Sequence, residues 1–363
     1  MTPGGLTRYG WDARTHAAFQ PYSTDAREPG RVLLEHRGSY VVATAHGEVS
    51  AAVSGRFRHN SASAADFPAV GDWVVLDPAR DGDQVVIQAV FPRRSQFARQ
   101  ASGDIPGAQV VAANVDLVLI VTSLDHDFNL RRLERYVTLA WSSGAEPVIV
   151  LNKSDLSDEV AERVADVATI APGVPVRVLA AKQGVGIETL TPLLEPGKTV
   201  ALLGSSGVGK STIVNAIVGW ERQATSDVRA DDQRGRHTTT VRELLVTESG
   251  ALLIDSPGMR SVGMWEIEEG LAEAFEDIAR FASECRFSDC THDSEPGCAV
   301  LAAIARGELA RARLDSQQKL ARESEAMARR SDHELRANSK RRWKIIHRSV
   351  RNHMRVKYGP DAG

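Results

Sequence analysis

The chain has 363 residues, of which 42% are hydrophobic and 25% charged, so it holds enough apolar side chains for two or three compact domains. No stretch approaches the roughly 20 apolar residues of a membrane-spanning helix, and the N-terminus lacks signal-peptide features, so we expect a cytoplasmic protein. The net charge is −3, and the basic character is local, because residues 336–357 contain nine Lys or Arg and no Asp or Glu. This segment favours a polyanionic partner such as nucleic acid.

Short strand-like segments separated by turn residues occupy the first part of the chain. They are residues 31–36, 40–44, 48–54, 72–77 and 84–91. Five strands in about sixty residues predict a small all-β barrel, and an OB-like barrel, which often binds single-stranded nucleic acid, fits best. The strand count alone does not separate an OB barrel from an SH3-like barrel, or a binding module from a spacer. We assign this domain to residues 1–105.

Beyond residue 115 the pattern changes to apolar runs that alternate with helical segments. The runs are residues 117–121, 147–151, 176–179, 199–203 and 252–254. Strands of this kind predict a parallel sheet that is covered on both faces. We assign this α/β domain to residues 106–264.

A phosphate-binding loop motif, G-x-x-x-x-G-K-[ST], occupies residues 204–211. It lies between the apolar run 199–203 and a helical segment. Lys210 is predicted to bridge the β and γ phosphates, and Ser211 is predicted to bind Mg²⁺. The alternative is a chance glycine-rich turn, which the flanking strand and helix disfavour. The residues predicted to contact nucleotide here are Gly204, Ser205, Ser206, Gly207, Val208, Gly209, Lys210, Ser211 and Thr212.

Two further loops at strand ends predict that the base is guanine. The sequence N-K-S-D follows the second apolar run, where Asp155 can accept hydrogen bonds from N1–H and the exocyclic amine of guanine. The Lys153 stem can cover the purine, and Asn152 can join this loop to the phosphate loop. A second loop, A-A-K, brings an N–H of Ala181 toward the O6 atom of guanine, with Lys182 beside it.

A D-S-P-G sequence after the last apolar run predicts a sensor of the γ-phosphate, although an ordinary turn is the alternative. Asp255 can hold Mg²⁺ through water, and the N–H of Gly258 can contact the phosphate. The preceding polar segment contains H-T-T-T, where Thr239 is the preferred second hydroxyl ligand of Mg²⁺.

The group that positions the attacking water is less clearly marked. Many GTPases use a Gln directly after D-x-x-G, whereas this chain has Met259 there, which predicts slow intrinsic hydrolysis. Either His237 reaches the water or an activating partner completes the site. The predicted catalytic residues are therefore Lys210, His237 and Thr239.

The order of these motifs, N-K-S-D, A-A-K, G-S-S-G-V-G-K-S, H-T-T-T and D-S-P-G, resembles the circularly permuted ribosome small-subunit-dependent GTPase A family. The resemblance covers nearly the whole chain. It implies a multidomain protein with an N-terminal OB barrel, a permuted α/β GTPase domain and a C-terminal, mainly helical zinc domain.

The same resemblance implies hydrolysis of GTP to GDP and phosphate with Mg²⁺ during late maturation of the small ribosomal subunit. The subunit is expected to stimulate hydrolysis. The expected partners are ribosomal RNA and, in addition, ribosomal proteins or an assembly factor. We expect a monomer that does not bind membranes.

All three cysteines lie in one short segment, together with a histidine. Cys285, Cys290, His292 and Cys298 offer three thiolates and one imidazole, which is a complete ligand set for structural zinc. Their spacing departs from the common C-x-x-C pattern, so free thiols remain the alternative on chemical grounds. The family resemblance implies one structural Zn²⁺ in a domain that we assign to residues 265–363.

The basic segment near the C-terminus is predicted to be a helix with two different faces. A basic face carries Arg341, Lys344, Arg348, Arg351 and Arg355. A separate apolar face carries Trp343, Ile346, Val350 and Met354. One face can pack on protein while the other meets RNA phosphates, and a membrane-surface helix or a solvated helix are the alternatives.

Two other functions fit parts of this pattern. One is a nucleotide-gated RNA-binding scaffold whose hydrolysis is incidental, and GTP turnover with and without small subunits would distinguish it. The other is a phosphate-loop ATPase or kinase, which Asp155 disfavours because adenine lacks the matching pair of donors.

Overall fold

The computed structural model describes most of the chain with full side chains. The described residues are 4–23, 27–36, 38–77, 85–100, 108–218, 242–255, 271 and 273–325. Among the helices in these ranges, none is both long enough and apolar enough to cross a membrane.

The N-terminal part forms a closed five-stranded barrel. Its strands are β1 (Glu28–His36), β2 (Ser39–Thr44), β3 (Gly47–Val53), β4 (Trp73–Asp77) and β5 (Val85–Val90). The order is β1-β2-β3-β5-β4, and β1 also pairs with β4, which closes the barrel. Only the β3–β5 pair among them is parallel. This is the arrangement of an OB barrel, so the predicted fold class of this domain is confirmed.

Smaller elements surround the barrel and lead into the next domain. Helix α1 (Ala13–Phe19) precedes the barrel, and α2 (Gly55–Asn60) connects β3 with β4. After β5, strands β6 (Gln96–Gln100) and β7 (Ala108–Ala113) form an antiparallel hairpin. The predicted boundary at residue 105 lies between these two paired strands and stays a prediction, as does the boundary at residue 264, which lies outside the described residues.

The central part is an α/β domain with a mostly parallel sheet. Its elements are β8 (Leu117–Ser123), α3 (Leu130–Ser142), β9 (Glu146–Asn152), α4 (Val160–Ile170), β10 (Val176–Val178), β11 (Thr199–Leu203), α5 (Lys210–Val218), β12 (Arg242–Val246) and β13 (Leu252–Asp255). The sheet order is β10-β9-β8-β11-β13-β12, and only β12 runs antiparallel. Alternate residues, such as Leu119 and Ile120, face two different apolar cores, so both faces of the sheet are covered.

The barrel and the α/β sheet share hydrogen bonds, because β12 also pairs with β1 of the barrel. Arg242 on β12 forms an ion pair of 2.9 Å with Glu35 on β1, and both side chains are largely buried. The strand that follows the predicted Mg²⁺-binding segment is therefore held between the two domains.

Arg31 fastens the barrel to the α/β domain from inside. Its side chain is completely buried, and its guanidinium donates to the Thr199 hydroxyl on β11 at 2.7 Å and to the Gly71 carbonyl at 3.3 Å. Burial lowers the pKa of Arg31 to about 10, although the negative charge of Asp116 opposes this change. A buried cation without these acceptors would be costly, so its hydrogen bonds specify how the two domains fit together.

The C-terminal part is helical and packs against the α/β domain. It contains α6 (Glu276–Ala282), α7 (Ala299–Ala305) and α8 (311–325). Its own apolar core includes Phe275, Ile278, Val300 and Leu314.

A buried ion-pair network attaches this helical part to α3. Arg313 donates to Glu134 on α3 at 2.7 Å and to Asp277 on α6 at 3.0 Å. Burial raises the pKa of Glu134, while a hydrogen bond from Ser316 and the charge of Arg313 act in the opposite direction. Removing either partner would leave a buried charge, so the network fixes the docking of the C-terminal part.

Candidate nucleotide-binding site

The predicted phosphate loop connects β11 to α5, and its conformation requires glycine at two positions. Gly204 has φ +152°, and a Cβ atom there would lie 2.2 Å from the carbonyl oxygen of Val121 on β8. Gly209 has φ +98°, and its Cβ would lie 2.2 Å from Nδ2 of Asn152. The loop therefore lies directly against its neighbours, with the positive end of the α5 dipole behind it.

Lys210 is the first residue of α5, and its side chain curls back over the loop. Its Nζ atom donates to the Gly204 carbonyl at 2.8 Å and also to the Ser205 carbonyl. Ser211 and Thr212 follow in the first turn of the helix. The loop thus presents one ammonium group, two hydroxyl groups and the helix N-terminus on a single short segment.

Asn152, at the end of β9, joins three loops. Its buried side chain donates from Nδ2 to the Val208 carbonyl of the phosphate loop at 2.8 Å. Its Oδ1 accepts from the Ala181 N–H in the A-A-K loop at 3.0 Å. This N–H is thus already engaged within the protein, and a contact with O6 of a base would require it to be shared or released.

Asp155 and Lys182 are exposed at the same edge of the sheet, where a ligand can reach them. Gln183 donates from Nε2 to Oδ2 of Asp155 at 3.1 Å, which links the N-K-S-D loop to the loop after A-A-K. Sequence reasoning did not identify Gln183. Its position directly after A-A-K was the available signal.

Lys153 has a left-handed backbone conformation, with φ 59° and ψ 41°. Its Nζ atom forms an ion pair of 2.8 Å with Oδ2 of Asp125, which follows β8. The other oxygen of Asp125 accepts hydrogen bonds from the Ser123 hydroxyl at 2.7 Å and from the Asp127 N–H at 2.9 Å. Burial opposes ionisation of Asp125, but the hydrogen bonds from Lys153, Asp127 and Ser123 prevail and lower its pKa.

Sequence reasoning also missed Asp125. The available signal was a carboxylate just beyond the carboxyl end of a buried parallel strand, which is where ligands of open α/β sheets bind. The phosphate loop and both base loops follow parallel strands of the same sheet, so all three reach this edge.

The structure describes only one of the residues predicted to sense the γ-phosphate or position the water. Asp255 ends β13 and thus lies at the same edge of the sheet. His237, Thr239 and Gly258 lie outside the described residues, as does the basic segment 336–357.

The cysteine and histidine cluster lies in the C-terminal part, between α6 and α7. The ligand atoms of Cys285, Cys290, His292 and Cys298 all lie within 4.8 Å of one another. The Cys285 and Cys298 sulfurs are 3.9 Å apart, and Nδ1 of His292 lies 3.4 Å from Cys298 and 3.6 Å from Cys285. With Zn–S bonds near 2.3 Å, a tetrahedral site has S···S edges of about 3.8 Å, so the cluster fits one zinc ion.

Backbone donors also surround these sulfurs. The Ala299 N–H donates to the Cys285 sulfur, and the Leu301 N–H donates to the Cys298 sulfur, both at 3.4 Å. Such bonds stabilise thiolates and orient them as ligands. Four protein ligands leave no open coordination position, which is typical of a structural site.

The fold and these loops define a phosphate-loop nucleotide-binding protein. Its two base loops, N-K-S-D and A-A-K, precede the phosphate loop along the chain. Comparisons with known proteins agree with this class. Residues 90–265 match the family model described as RsgA GTPase. A relative from Opitutus terrae, named small ribosomal subunit biogenesis GTPase RsgA, is 47% identical over 97% of this chain and 98% of the relative.

Solved structures agree as well. The crystal structure of YjeQ from Thermotoga maritima has a TM-score of 0.61 and 29% identity, covering 82% of this chain and 98% of that one. YloQ, described as a circularly permuted GTPase, has a TM-score of 0.59 at 24% identity, covering 83% and 96%, and supports the fold. The chain belongs to the RsgA GTPase family, and it is a GTPase with a circularly permuted fold. The resemblance seen in its motifs is confirmed.

Proposed function

We propose that this GTPase hydrolyses GTP to GDP and phosphate during late maturation of the small ribosomal subunit in the cytoplasm, and that the subunit stimulates hydrolysis. The observation that carries the proposal is the buried Asn152, which holds the phosphate loop and both base loops together at one sheet edge. The name of the Opitutus terrae relative refers to biogenesis of this subunit.

The phosphate loop binds and polarises the nucleotide phosphates in this proposal. Lys210 exchanges its loop carbonyls for β- and γ-phosphate oxygens, and its charge offsets the charge that builds up during phosphoryl transfer. The hydroxyl groups of Ser211 and Thr239 hold Mg²⁺, with Asp255 acting through water. Held by these residues, the ion would supply positive charge that offsets the negative charge of the phosphates.

The base loops select guanine. Asp155 accepts the two adjacent donors of the base, and the aliphatic stem of Lys153 lies against the purine. Gln183 already donates to Asp155, so that carboxylate is oriented before nucleotide arrives. The attacking water is positioned either by His237 or by a group of the ribosomal subunit.

The RNA partner is proposed to meet two parts of the chain. The OB barrel belongs to a fold that often binds nucleic acid, and residues 336–357 supply concentrated positive charge. Contact with the barrel would place the ribosomal RNA against a domain that the structure ties to the GTPase sheet through β12 and Arg31.

GTP turnover titrated with purified small subunits tests this function. We expect slow turnover by the protein alone, because Met259 stands where many GTPases have Gln, and a rise in turnover that saturates with subunit concentration. Large subunits at the same concentration are the control. Nucleotide-dependent subunit binding without any rise in turnover would favour the scaffold alternative.

Metal content tests the zinc site. We expect close to one zinc per chain, and Cys290→Ser should lower zinc content and the thermal stability of the C-terminal part, because metal binding contributes to folding. Turnover without subunits should change little, since the cluster and the phosphate loop belong to different apolar cores. Asp293→Asn is the matched control in the same loop, and a wild-type protein without zinc would refute the site.

A further inference from the structure

The ion pair between Lys153 and Asp125 connects the base-reading loop to the end of a different strand. Lys153 follows β9, whereas Asp125 follows the neighbouring strand β8. The Asp125 side chain is only 15% exposed and that of Lys153 is 30% exposed, so water and salt screen this pair less than a fully exposed one.

We propose that Asp125 is a positioning residue for nucleotide recognition, which holds the stem of Lys153 in the orientation that covers the guanine base. The proposal rests on the proposed function, in which Lys153 contacts the base. Asp125 itself does not touch the nucleotide. It acts only through the lysine.

A lysine stem needs such an anchor to serve as a flat surface for a base. Free in solvent, a lysine side chain samples many rotamers, and ordering it during binding would weaken affinity. The ion pair fixes the Nζ end, and the left-handed backbone of Lys153 fixes the other end. The Lys153 side chain is therefore largely ordered before the nucleotide binds.

The carboxylate is itself held in one orientation. One of its oxygens accepts from Ser123 and from the backbone of Asp127, which leaves the second oxygen directed at Lys153. A purely local role would use only the first oxygen, because those two bonds close the turn after β8. The bond from the second oxygen crosses 28 residues of sequence to the base loop.

Because one oxygen of Asp125 serves the turn and the other binds Lys153, Asp125→Asn tests the contact with Lys153 selectively. Asparagine keeps an oxygen that can accept from Ser123 and Asp127, but it loses the charge that binds Lys153. We expect the affinity for GTP and GDP to fall equally, by about five- to tenfold, because both ligands carry the same base. KM for GTP should rise, while kcat with saturating small subunits stays the same.

Asp127→Asn is the matched control. It removes a charge from the same loop, but the ion pair of Asp127 is with Arg132, at 2.9 Å, and not with the base loop. Its nucleotide affinity should equal that of the wild type. Thermal unfolding of both variants would show whether the loop is still intact.

A double-mutant cycle with Lys153→Met decides between positioning and local structure. If Asp125 acts through the lysine, Asp125→Asn should have no further effect on affinity once Lys153 is methionine. An equal loss in both backgrounds would overturn the proposal and assign Asp125 to the turn. Weaker binding by Lys153→Met together with normal binding by Asp125→Asn would reject the positioning role alone. Normal binding by Lys153→Met would also reject the positioning role, because methionine keeps an apolar stem but has no charge for Asp125 to hold. Normal binding by Lys153→Ala, which removes the stem, would reject the proposed contact with the base as well.

Discussion

Replacing Lys210 with alanine should reduce subunit-stimulated GTP turnover by roughly a hundredfold to a thousandfold, which is the usual loss when one stabilising donor is removed from a transition state. Phosphoryl transfer relies on charge stabilisation and positioning, and Lys210 is the cation that the phosphate loop itself provides. The backbone of the loop should keep its shape, because Gly204 and Gly209 and the contact from Asn152 define it. Single-turnover assays, with limiting GTP and saturating concentrations of protein and small subunits, would measure the chemical step directly.

Lys198→Ala is the control for this substitution. Lys198 also carries a positive charge, but it is half exposed and pairs with Glu195 at the surface. It should keep wild-type turnover. Full activity of a folded Lys210→Ala protein would show that residues 204–211 are not the catalytic phosphate loop.

The strands that precede the phosphate loop and the γ-phosphate sensor could be predicted because they are buried on both faces. Residues 199–203 were predicted as a strand from their apolar run alone, and the structure places β11 at Thr199–Leu203. The run 252–254 likewise lies within β13. A continuous apolar run of this length has few alternatives in a sheet that helices and loops cover on both sides.

Strand β12 was not predicted, because its sequence R-E-L-L-V begins with two charged residues. Those charges are accommodated by tertiary contacts: Arg242 pairs with Glu35 of the barrel, and the backbone of β12 bonds to both β1 and β13. Pairing between segments more than 200 residues apart leaves no local signal in the sequence.

The barrel shows the same limit. Short strand-like segments separated by turn residues predicted its five strands, but the closing pair between β1 and β4 depends on contacts distant in sequence. From sequence alone, Arg31 would be expected to face solvent, because it is a charged residue inside a strand. Its complete burial depends on acceptors from four separate segments, including Tyr9 and Thr199.

At the site, sequence motifs predicted the residues that contact the nucleotide. The residues that orient them belong to no recognisable motif. Lys153 and Asp155 belong to N-K-S-D, but their partners, Asp125 and Gln183, each lie 28 residues away. Only the parallel order of β8, β9 and β10 brings those partners to the same edge. Orienting residues of this kind become visible once the sheet order is known.

The identity of the base should change when Asp155 becomes asparagine. A carboxylate accepts both hydrogens of guanine, whereas an amide presents an N–H where guanine also presents a donor. Such a mismatch costs about 1–3 kcal/mol, so GTP affinity should fall by roughly ten- to a hundredfold. Xanthine has an acceptor oxygen in place of the amine, and this oxygen can pair with the new amide.

The surroundings of Asp155 favour a clean exchange. The residue is exposed, and its described protein partner is the amide of Gln183, which can rotate to present its oxygen to the new Asn N–H. The fold should therefore tolerate the change. Asp158→Asn, an exposed carboxylate three residues further along, removes the same charge nearby and should leave base preference unaltered.

Competition binding of GTP, XTP and ATP to the wild type and to both variants would measure the exchange. We expect the wild type to prefer GTP, Asp158→Asn to do the same, and Asp155→Asn to prefer XTP. The ratio of XTP to GTP affinity is the informative quantity, because a general loss of structure would weaken both nucleotides together. An Asp155→Asn protein that keeps its preference for GTP, or a wild type that binds ATP equally well, would show that another residue reads the base.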